Sequence, residues 1–466
     1  MAGPYRVYCQ TSPDYNASVY YRMLLPMSLM ERMGLPVDCL YDWSDCSVDP
    51  RKRVASFMES DIDLIYQSTG AFRLELMKKT AEFKPMKDRE GERRWPPTMI
   101  VDTDDDLFNV QPLNLTFGSN GTKRPDGTLL EDGDVIGIAH PTEIVPPEMQ
   151  ERLHATRNGP LPNDRATIDG KTYTFCADGQ WRLYILLWQD GRNCDLAANR
   201  NRVEMWRNTL KAAHLVTCST PRVAEYVKRE TSPDLNTFVA YNAINFDEYP
   251  DVELADHPQE VRVLWQGSAT HHEDLWPLND SLARVARKYP NTTWWFWGAP
   301  YEWAMRNIPR ERMKLIPWLH FEAYKTRLST INHDINLAPL APHTFNQSRS
   351  AIKWYESSAI CKPAATLAQN TGPYADEIVE GETGLLFSTP EEFETKLGAL
   401  IEDATLRKTL ASNAKDWVRT NRDARKLITA LFRKWVETRE AHKLTMPFDE
   451  SVLSPSEEER QVALST

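Results

Sequence analysis

Short apolar runs alternate along the chain with longer segments of helical periodicity, and turns rich in Gly, Pro, Asn and Asp separate them. In the first half the apolar runs predict strands at 5–9, 37–41, 63–68, 98–102, 214–219 and 237–241. In the second half they predict strands at 261–266, 292–298, 314–319, 335–340, 364–368 and 384–388. Alternation of strand and helix is typical of parallel sheets covered by helices. The pattern therefore predicts an α/β protein with two Rossmann-like domains that face each other across a cleft.

The same pattern divides the chain into four parts. Residues 1–245 form the first predicted domain, with an irregular insertion at about 109–181 where the rhythm breaks. Residues 246–421 form the second predicted domain, which begins with a polar, acidic linker. A long helix at 422–446 is expected to return to the first domain, and the polar tail at 447–466 is expected to be disordered.

Composition argues against several classes of protein. The 466 residues include 55 Lys and Arg and 66 Asp and Glu, and the net charge of −11 argues against a general polyanion binder but allows one basic cleft. No apolar run reaches the ~18–20 residues of a membrane span, and the first residues lack the pattern of a secretory signal. Seven cysteines without CxxC spacing are expected to be reduced thiols of a cytoplasmic protein. Trp294, Trp295 and Trp297 lie on a predicted strand and are expected to pack in the core.

The most informative charged segment is 346–356, which follows a predicted strand and opens a predicted helix. Arg349, Lys353 and Glu356 are spaced i, i+4, i+7 and therefore share one helix face. A helix start that carries Ser348, Arg349 and Lys353 suits a diphosphate, and a carboxylate two turns further can accept hydrogen bonds from ribose. The alternative interpretation is a solvated, salt-bridged surface. No G-x-G-x-x-G after a predicted strand, no G-x-x-x-x-G-K-[ST] and no G-x-S-x-G is present, so dinucleotide oxidoreductases and P-loop NTPases are not expected.

Further segments occur in a recognisable order. Glu356 ends a helix, Lys362-Pro363 precedes a short strand, and 380–386 reads Glu-Gly-Glu-Thr-Gly-Leu-Leu. Upstream, 216–220 reads Val-Thr-Cys-Ser-Thr, 241–245 reads Tyr-Asn-Ala-Ile-Asn, and 265–270 reads Trp-Gln-Gly-Ser-Ala-Thr. Together they resemble the retaining family-four (group 1) glycosyltransferases of the GT-B fold. Tyr20-Tyr21-Arg22 with Pro26 resembles the first helix of a phage and bacterial branch of that family.

The resemblance implies transfer of a sugar, a hexose or a pentose, from a nucleotide-diphosphate donor to an acceptor hydroxyl, with retention and without a metal or a further cofactor. It implies an acceptor-binding first domain and a donor-binding second domain. The donor-binding residues implied by the match are Gly267, Ser268, Thr270, His271, Ser348, Arg349, Lys353 and Glu356. Of these, Glu356 matches the family's ribose ligand, and Gly267 and the helix start match its diphosphate site.

Two departures from the family pattern concern the donor site. Ser348 stands where the family has an earlier Glu, and 271–274 reads His-His-Glu-Asp where the family has an Arg and a Lys. Arg349 and Lys353 are therefore expected to supply the missing positive charge. One of the two histidines is a candidate hydrogen-bond donor to the donor substrate; a structural role and a metal site are the alternatives.

A carboxylate cluster, Asp102-Thr-Asp-Asp-Asp106, follows the predicted strand at 98–102 and therefore lies at the carboxyl edge of the first sheet. Three interpretations compete: contact with the donor sugar or the acceptor, a Mg²⁺ or Mn²⁺ site, and a helix N-cap in a solvated loop. We favour the first, with Asp104 and Asp105 as the candidate catalytic residues.

The acceptor stays open at this stage: a glycan, a protein or a hydroxymethylated base of phage DNA fits, and the insertion is expected to shape the choice. A DNA acceptor predicts a basic strip, for which the candidates are Lys78, Lys79, Lys84, Lys87, Arg89, Arg93 and Arg94. A nucleotide-sugar epimerase of the same fold and a non-catalytic nucleotide-sugar binding protein are the alternative functions.

Overall fold

The computed structural model of the chain describes residues 4–10, 17–42, 60–67, 77–78, 82–87, 93–157, 159–255, 257–298 and 308–446. The predicted tail at 447–466 and part of the basic strip, including Lys79 and Arg89, lie outside the described residues. Two six-stranded sheets, a four-stranded sheet and a two-stranded ribbon of Met86–Lys87 and Arg93–Arg94 organise the described part.

The first domain is built on a six-stranded sheet in which every pairing is parallel. Its spatial order is Thr237–Val239, Leu215–Cys218, Thr98–Thr103, Ile62–Tyr66, Tyr5–Gln10 and Val37–Asp42. All residues of the interior strand Thr98–Thr103 are buried, as expected for a parallel strand covered on both faces. Asp104 and Asp105 follow the carboxyl end of this strand directly and therefore lie at the edge of the sheet.

The second domain repeats the arrangement with a second parallel six-stranded sheet. Its order is Met313–Ile316, Thr292–Gly298, Val261–Gly267, Ile335–Ala338, Ala365–Gln369 and Leu385–Phe387. The prediction of two Rossmann-like sheets is thus confirmed. Trp294, Trp295 and Trp297 are buried against the helices, so the tryptophan run is part of the core, as predicted.

Helices cover both sheets. The helices of the first domain are Ala17–Val19, the π-helical turn Tyr20–Leu24, Leu25–Arg32, Phe117–Asn120, Pro147–Ala155, which packs on the four-stranded sheet, Leu196–Ala212 and Pro221–Glu230. In the second they are His272–Leu275, Asn279–Lys288, Phe321–Thr330, Thr344–Gln347, Ile352–Ala359, Gly372–Glu377, Pro390–Glu402 and Ala404–Asn421. Short 3-10 turns occur at Phe246–Glu248, Ala269–His271, Trp276–Leu278 and Arg310–Arg312.

The segment predicted as an irregular insertion contains regular structure. An antiparallel sheet, here called the insertion sheet, has the order Val135–Ile144, Trp181–Gln189, Lys171–Phe175 and Arg165–Ile168. Its hairpin turn is Asp169-Gly170, and both residues have positive φ, 53° and 74°, which is the backbone of a tight type I′ turn. The strands are only partly buried, and Arg165–Ile168 and Lys171–Phe175 mix polar with apolar residues, whereas the mostly apolar Trp181–Gln189 begins where the predicted insertion ends.

The final helix, Ala424–Thr445, packs against the first domain. Trp435 is buried there, and the buried Arg439 donates hydrogen bonds to the carbonyl of Pro96 and, at 3.1 Å, to Asp61. Among the described helices, none combines the length and the apolar character of a membrane span.

One buried ion pair positions the carboxyl end of the central strand. Arg22, in the π-helical turn, donates from Nε to Asp102 Oδ1 at 2.8 Å and from Nη2 to Oδ2 at 2.7 Å. Both side chains are at most 5% exposed. Arg22 also donates to Asn242 at 3.1 Å, so the same guanidinium ties the first helix, the central strand and the segment that leads into the second domain.

We expect Arg22→Met to lower the free energy of unfolding by about 3–5 kcal/mol, because it leaves Asp102 buried without its counter-ion. Urea unfolding at pH 7 measures the change. Arg32→Met is the matched control, since this arginine lies on the adjoining helix with its side chain 55% exposed. Equal stability of the two variants would contradict a structural role for the pair.

Candidate active site

The carboxyl edges of the two parallel sheets face each other across a cavity of about 110 Å³. Its main polar lining residues are Ser18, Tyr21, Asp104, Asp105 and Asn242 from the first domain and His271, Arg349, Ser350, Lys353 and Tyr374 from the second. This is the place where ligands bind in open α/β sheets. The cavity has a carboxylate wall on one side and a cationic wall on the other.

The cavity brings together half of the predicted site residues. Those that line it are Asp104, Asp105, His271, Arg349 and Lys353. Gly267, Ser268, Thr270, Ser348 and Glu356 lie close to it in the fold, but they do not line it. Their roles as donor ligands stay predictions.

The carboxylate wall follows the central strand of the first sheet. Tyr66 donates a hydrogen bond to Asp104 at 2.8 Å, and Ser219 donates to the Asp104 carbonyl at 3.1 Å. Asp105 Oδ1 lies 3.6 Å from Arg349 Nε of the other domain. Burial and the charge of Asp104 raise the pKa of Asp105 to about 6, although Arg349 acts in the opposite direction. Asp105 is therefore ionised at neutral pH, but it is a stronger base than a solvated aspartate.

The cationic wall is formed by the segment 349–353 at the start of helix Ile352–Ala359. Burial lowers the pKa of Lys353 to about 8, and the charge of Arg349 acts in the same direction. For Arg349, Asp105 and Asp274 outweigh the effect of burial, and its pKa is raised. Two cations therefore face the cavity at neutral pH, and one of them is close to losing its proton.

His271 lies between this wall and the glycine turn at 267. Its Nδ1 is 2.6 Å from Asp274 Oδ2, and Asp274 is buried. A Cβ on Gly267 would come within 2.7 Å of the Trp265 ring and 3.2 Å of His271 Cδ2, so the turn needs a glycine. Ser268 and Thr270 share a hydrogen bond of 2.7 Å within the turn.

Ser348 serves the seam between the domains. Its side chain is fully buried and donates to the Phe345 carbonyl at 2.7 Å. Its carbonyl accepts a hydrogen bond from Thr220 of the first domain at 2.8 Å. Ser350, two residues after Ser348, accepts a hydrogen bond from Asn242 of the first domain at 2.8 Å across the same seam.

Glu356 is also a seam residue. Tyr21 of the first domain donates to Oε1 at 2.7 Å, and Tyr324 of the second donates to Oε2 at 2.7 Å. Tyr249, in the connection between the domains, lies 3.3 Å from the Tyr21 hydroxyl. Burial raises the pKa of Glu356 to about 7, while the two tyrosines and Lys353 act to lower it.

The sequence interpretation did not assign roles to Tyr21, Asn242, Ser350, Tyr374 and Asp274. Asn242 lies in the Tyr-Asn-Ala-Ile-Asn segment and Tyr21 in the Tyr-Tyr-Arg segment. The sequence pattern therefore included both residues, but it did not indicate which side chains they contact. Among the described residues, no three His, Cys, Asp or Glu side chains are grouped so that they could hold one metal ion.

No protein-family model and no curated protein matches the chain. Among solved structures, Anabaena HepE in complex with UDP-glucose is similar with a TM-score of 0.53 at 12% identity, over 93% of this chain and 99% of that one. Sucrose-phosphate synthase from Thermosynechococcus elongatus is similar with a TM-score of 0.54 at 10% identity, over 94% and 100%. The chain has the GT-B fold that these proteins share.

The raised pKa of Glu356 predicts a pH dependence of stability. The folded state holds the proton up to about pH 7 and the unfolded state only to about pH 4.5, so stability falls as pH rises between these values. The glutamine in Glu356→Gln is neutral at every pH. We therefore expect the free energy of unfolding of this variant to lack a decrease of about 3 kcal/mol that the wild type shows as pH rises. Urea unfolding between pH 5 and pH 8 measures the difference.

Glu394→Gln is the control of opposite sign. Hydrogen bonds from Arg284 lower the pKa of Glu394, so its charge stabilises the folded state above the unfolded pKa. We expect this variant to be less stable than the wild type at neutral pH, whereas Glu356→Gln is more stable. An unchanged pH profile in Glu356→Gln would contradict the assignment.

Proposed function

We propose that the chain is a glycosyltransferase that moves a hexose or pentose from a nucleotide-diphosphate donor to an acceptor hydroxyl, with retention and without a metal ion. The observation that carries the proposal is the cavity between the domains. Arg349 and Lys353 bring cations to one wall, and Asp104 and Asp105 bring carboxylates to the other. A nucleotide-diphosphate sugar has the complementary parts, an anionic diphosphate and a polyhydroxylated ring.

In the proposed reaction, the bond between the donor C1 and the phosphate oxygen breaks, and the acceptor oxygen bonds to C1 on the same face. The acceptor proton passes to the leaving phosphate. Negative charge grows on that phosphate, and fixed cations in a site of low dielectric lower the barrier. Arg349 suits two phosphate oxygens and Lys353 a single one. Gly267, Ser268 and Thr270 shape the turn beside the diphosphate.

Asp105 is proposed to accept a hydrogen bond from the acceptor hydroxyl or the donor sugar, with Asp104 beside it. A base with a pKa of about 6 is ionised at neutral pH and binds a hydroxyl proton more strongly than a solvated aspartate. Ser348 acts through its carbonyl at the seam. Glu356 accepts hydrogen bonds from Tyr21 and Tyr324 and does not line the cavity, so the proposed contact to ribose requires one of these tyrosines to move.

The HepE structure contains UDP-glucose, which makes uridine donors the first to test. We propose that the insertion sheet selects the acceptor, because its His140 lies 5.2 Å from Trp276, five residues after His271. We place the reaction in the cytoplasm, since the six described cysteines are free thiols.

A screen of UDP-, GDP-, ADP- and dTDP-sugars should find a donor that raises Tm by mass action. We expect Lys353→Ala to weaken its affinity by about 10- to 100-fold, the effect of losing a charged hydrogen bond. Donor affinity should fall above about pH 8, where the Lys353 amine loses its proton. Lys353→Arg keeps its charge in this range, so its donor affinity relative to the wild type should rise above about pH 8. Calorimetric titration across pH measures all three.

Lys288→Ala is the matched control, because this lysine lies on helix Asn279–Lys288, is exposed and does not line the cavity. It should bind the donor like the wild type. Binding of none of the four donor classes, or equal affinity in the Lys353 and Lys288 variants, would count against the proposed function.

We expect Asp105→Asn to lower kcat by about 10- to 100-fold, the effect of losing a charged hydrogen bond to the reacting hydroxyl. Donor affinity should be kept or increased, because the carboxylate beside Arg349 repels a diphosphate. Release of nucleoside diphosphate measures turnover, and calorimetry measures binding. Asp169→Asn, with its side chain 70% exposed in the insertion hairpin, is the control. A loss of donor binding that equals the loss of turnover would assign Asp105 to the donor alone.

A further inference from the structure

A buried carboxylate fixes the orientation of the His271 imidazole. Asp274 Oδ2 lies 2.6 Å from Nδ1 of the ring. Its other oxygen accepts hydrogen bonds from the Ala341 backbone amide at 2.8 Å and from the Asn346 side chain at 2.9 Å. Burial acts to raise the pKa of Asp274, but the hydrogen bond with His271, the charge of Lys353 and the Ala341 amide keep it below its ordinary value. With Asp274 ionised, the Nδ1 proton of His271 points at the carboxylate.

The second ring nitrogen then has a lone pair. His271 lines the cavity, and no described residue forms a hydrogen bond with its Nε2. The absence of a side chain at Gly267 lets the Cδ2 edge of the ring, next to Nε2, pack against the glycine turn. The ring therefore offers one unsatisfied nitrogen to a ligand in the cavity.

The charges around the ring hold it neutral when the cavity is empty. Burial lowers the pKa of His271 to about 3, and Lys353 and Arg349 act in the same direction, against Asp274. Arg349 Nη1 is 3.4 Å from the same Nδ1, a longer contact than the 2.6 Å to Asp274, and Asp105 lies 3.6 Å from Arg349 Nε. Tyr374 is the further titratable group in the lining, and burial keeps it protonated.

We propose that His271 binds the donor diphosphate together with a proton: it is neutral in the empty cavity and is protonated at Nε2 when a diphosphate lies between it, Arg349 and Lys353. The two cations that repel the proton are then screened by two phosphate charges. The imidazolium becomes a third cation beside the leaving group, held on the opposite side by Asp274. This inference rests on the proposed function for its ligand.

Nitrogen-15 NMR of histidine-labelled full-length protein at pH 7 tests the ring directly, and His271→Gln assigns its signals. The probe is P1,P2-dimethyl pyrophosphate, a diphosphate diester with no titrating group near neutral pH. We expect the Nε2 signal to move from that of an unprotonated to that of a protonated nitrogen as the probe saturates. A ring that stays neutral at saturation, or a chain that does not bind the probe, overturns the proposal.

Calorimetry in buffers of different ionisation enthalpy gives the proton count for a nucleotide-diphosphate sugar. We expect the wild type to take up about one proton per donor at pH 7 and His271→Gln to take up almost none while it still binds. His154→Gln, on the insertion helix away from the cavity, should behave like the wild type. Donor binding without proton uptake overturns this inference alone. If the probe binds and His271 becomes protonated, but no nucleotide-diphosphate sugar binds, the proposed function alone is overturned.

Discussion

The removal of ionisable side chains from water at the seam between two sheets is the constraint on which the site depends. Because the carboxyl edges of both sheets face each other, carboxylates from one domain and cations from the other are buried in one place. Burial moves the pKa of Asp105 and Glu356 upward and that of Lys353 and His271 downward, each toward its neutral form. At neutral pH, His271 therefore adds no positive charge to the cavity, while Lys353 stays protonated.

Rigid supports hold the charged groups where they act. In the first domain, the bidentate Arg22–Asp102 pair anchors the end of the central strand just before Asp104. In the second, Asp274 is held by hydrogen bonds from the Ala341 amide and the Asn346 side chain and orients His271. Around the cavity, the contacts between the domains are polar, such as those of Asn242 with Ser350 and of Asp105 with Arg349. Away from the cavity, one apolar cluster that includes Trp354 and Ile428 joins the domains. An apolar cluster thus joins the domains, while the cavity of about 110 Å³ is lined mainly by polar residues.

The strands of both parallel sheets could be predicted because burial on both faces favours short apolar runs, such as residues 99–101 within Thr98–Thr103. The insertion sheet could not be predicted in the same way. Its strands face solvent on part of their surface, and Arg165–Ile168 and Lys171–Phe175 hold polar residues beside buried ones. The Asp169-Gly170 turn between them was the usable local signal, since both residues adopt positive φ.

The sequence by itself determined that Arg349, Lys353 and Glu356 share one helix face, because helical periodicity is a local property. It also placed Asp104 and Asp105 at a strand end, since a strand's direction follows from the chain. Only the tertiary structure decided what each residue meets. Glu356 is bonded to Tyr21, 335 positions away, and turns toward the seam, while Arg349 and Lys353 face the cavity. Side-chain partners and the resulting pKa shifts depend on the packing of distant elements, which no local pattern encodes.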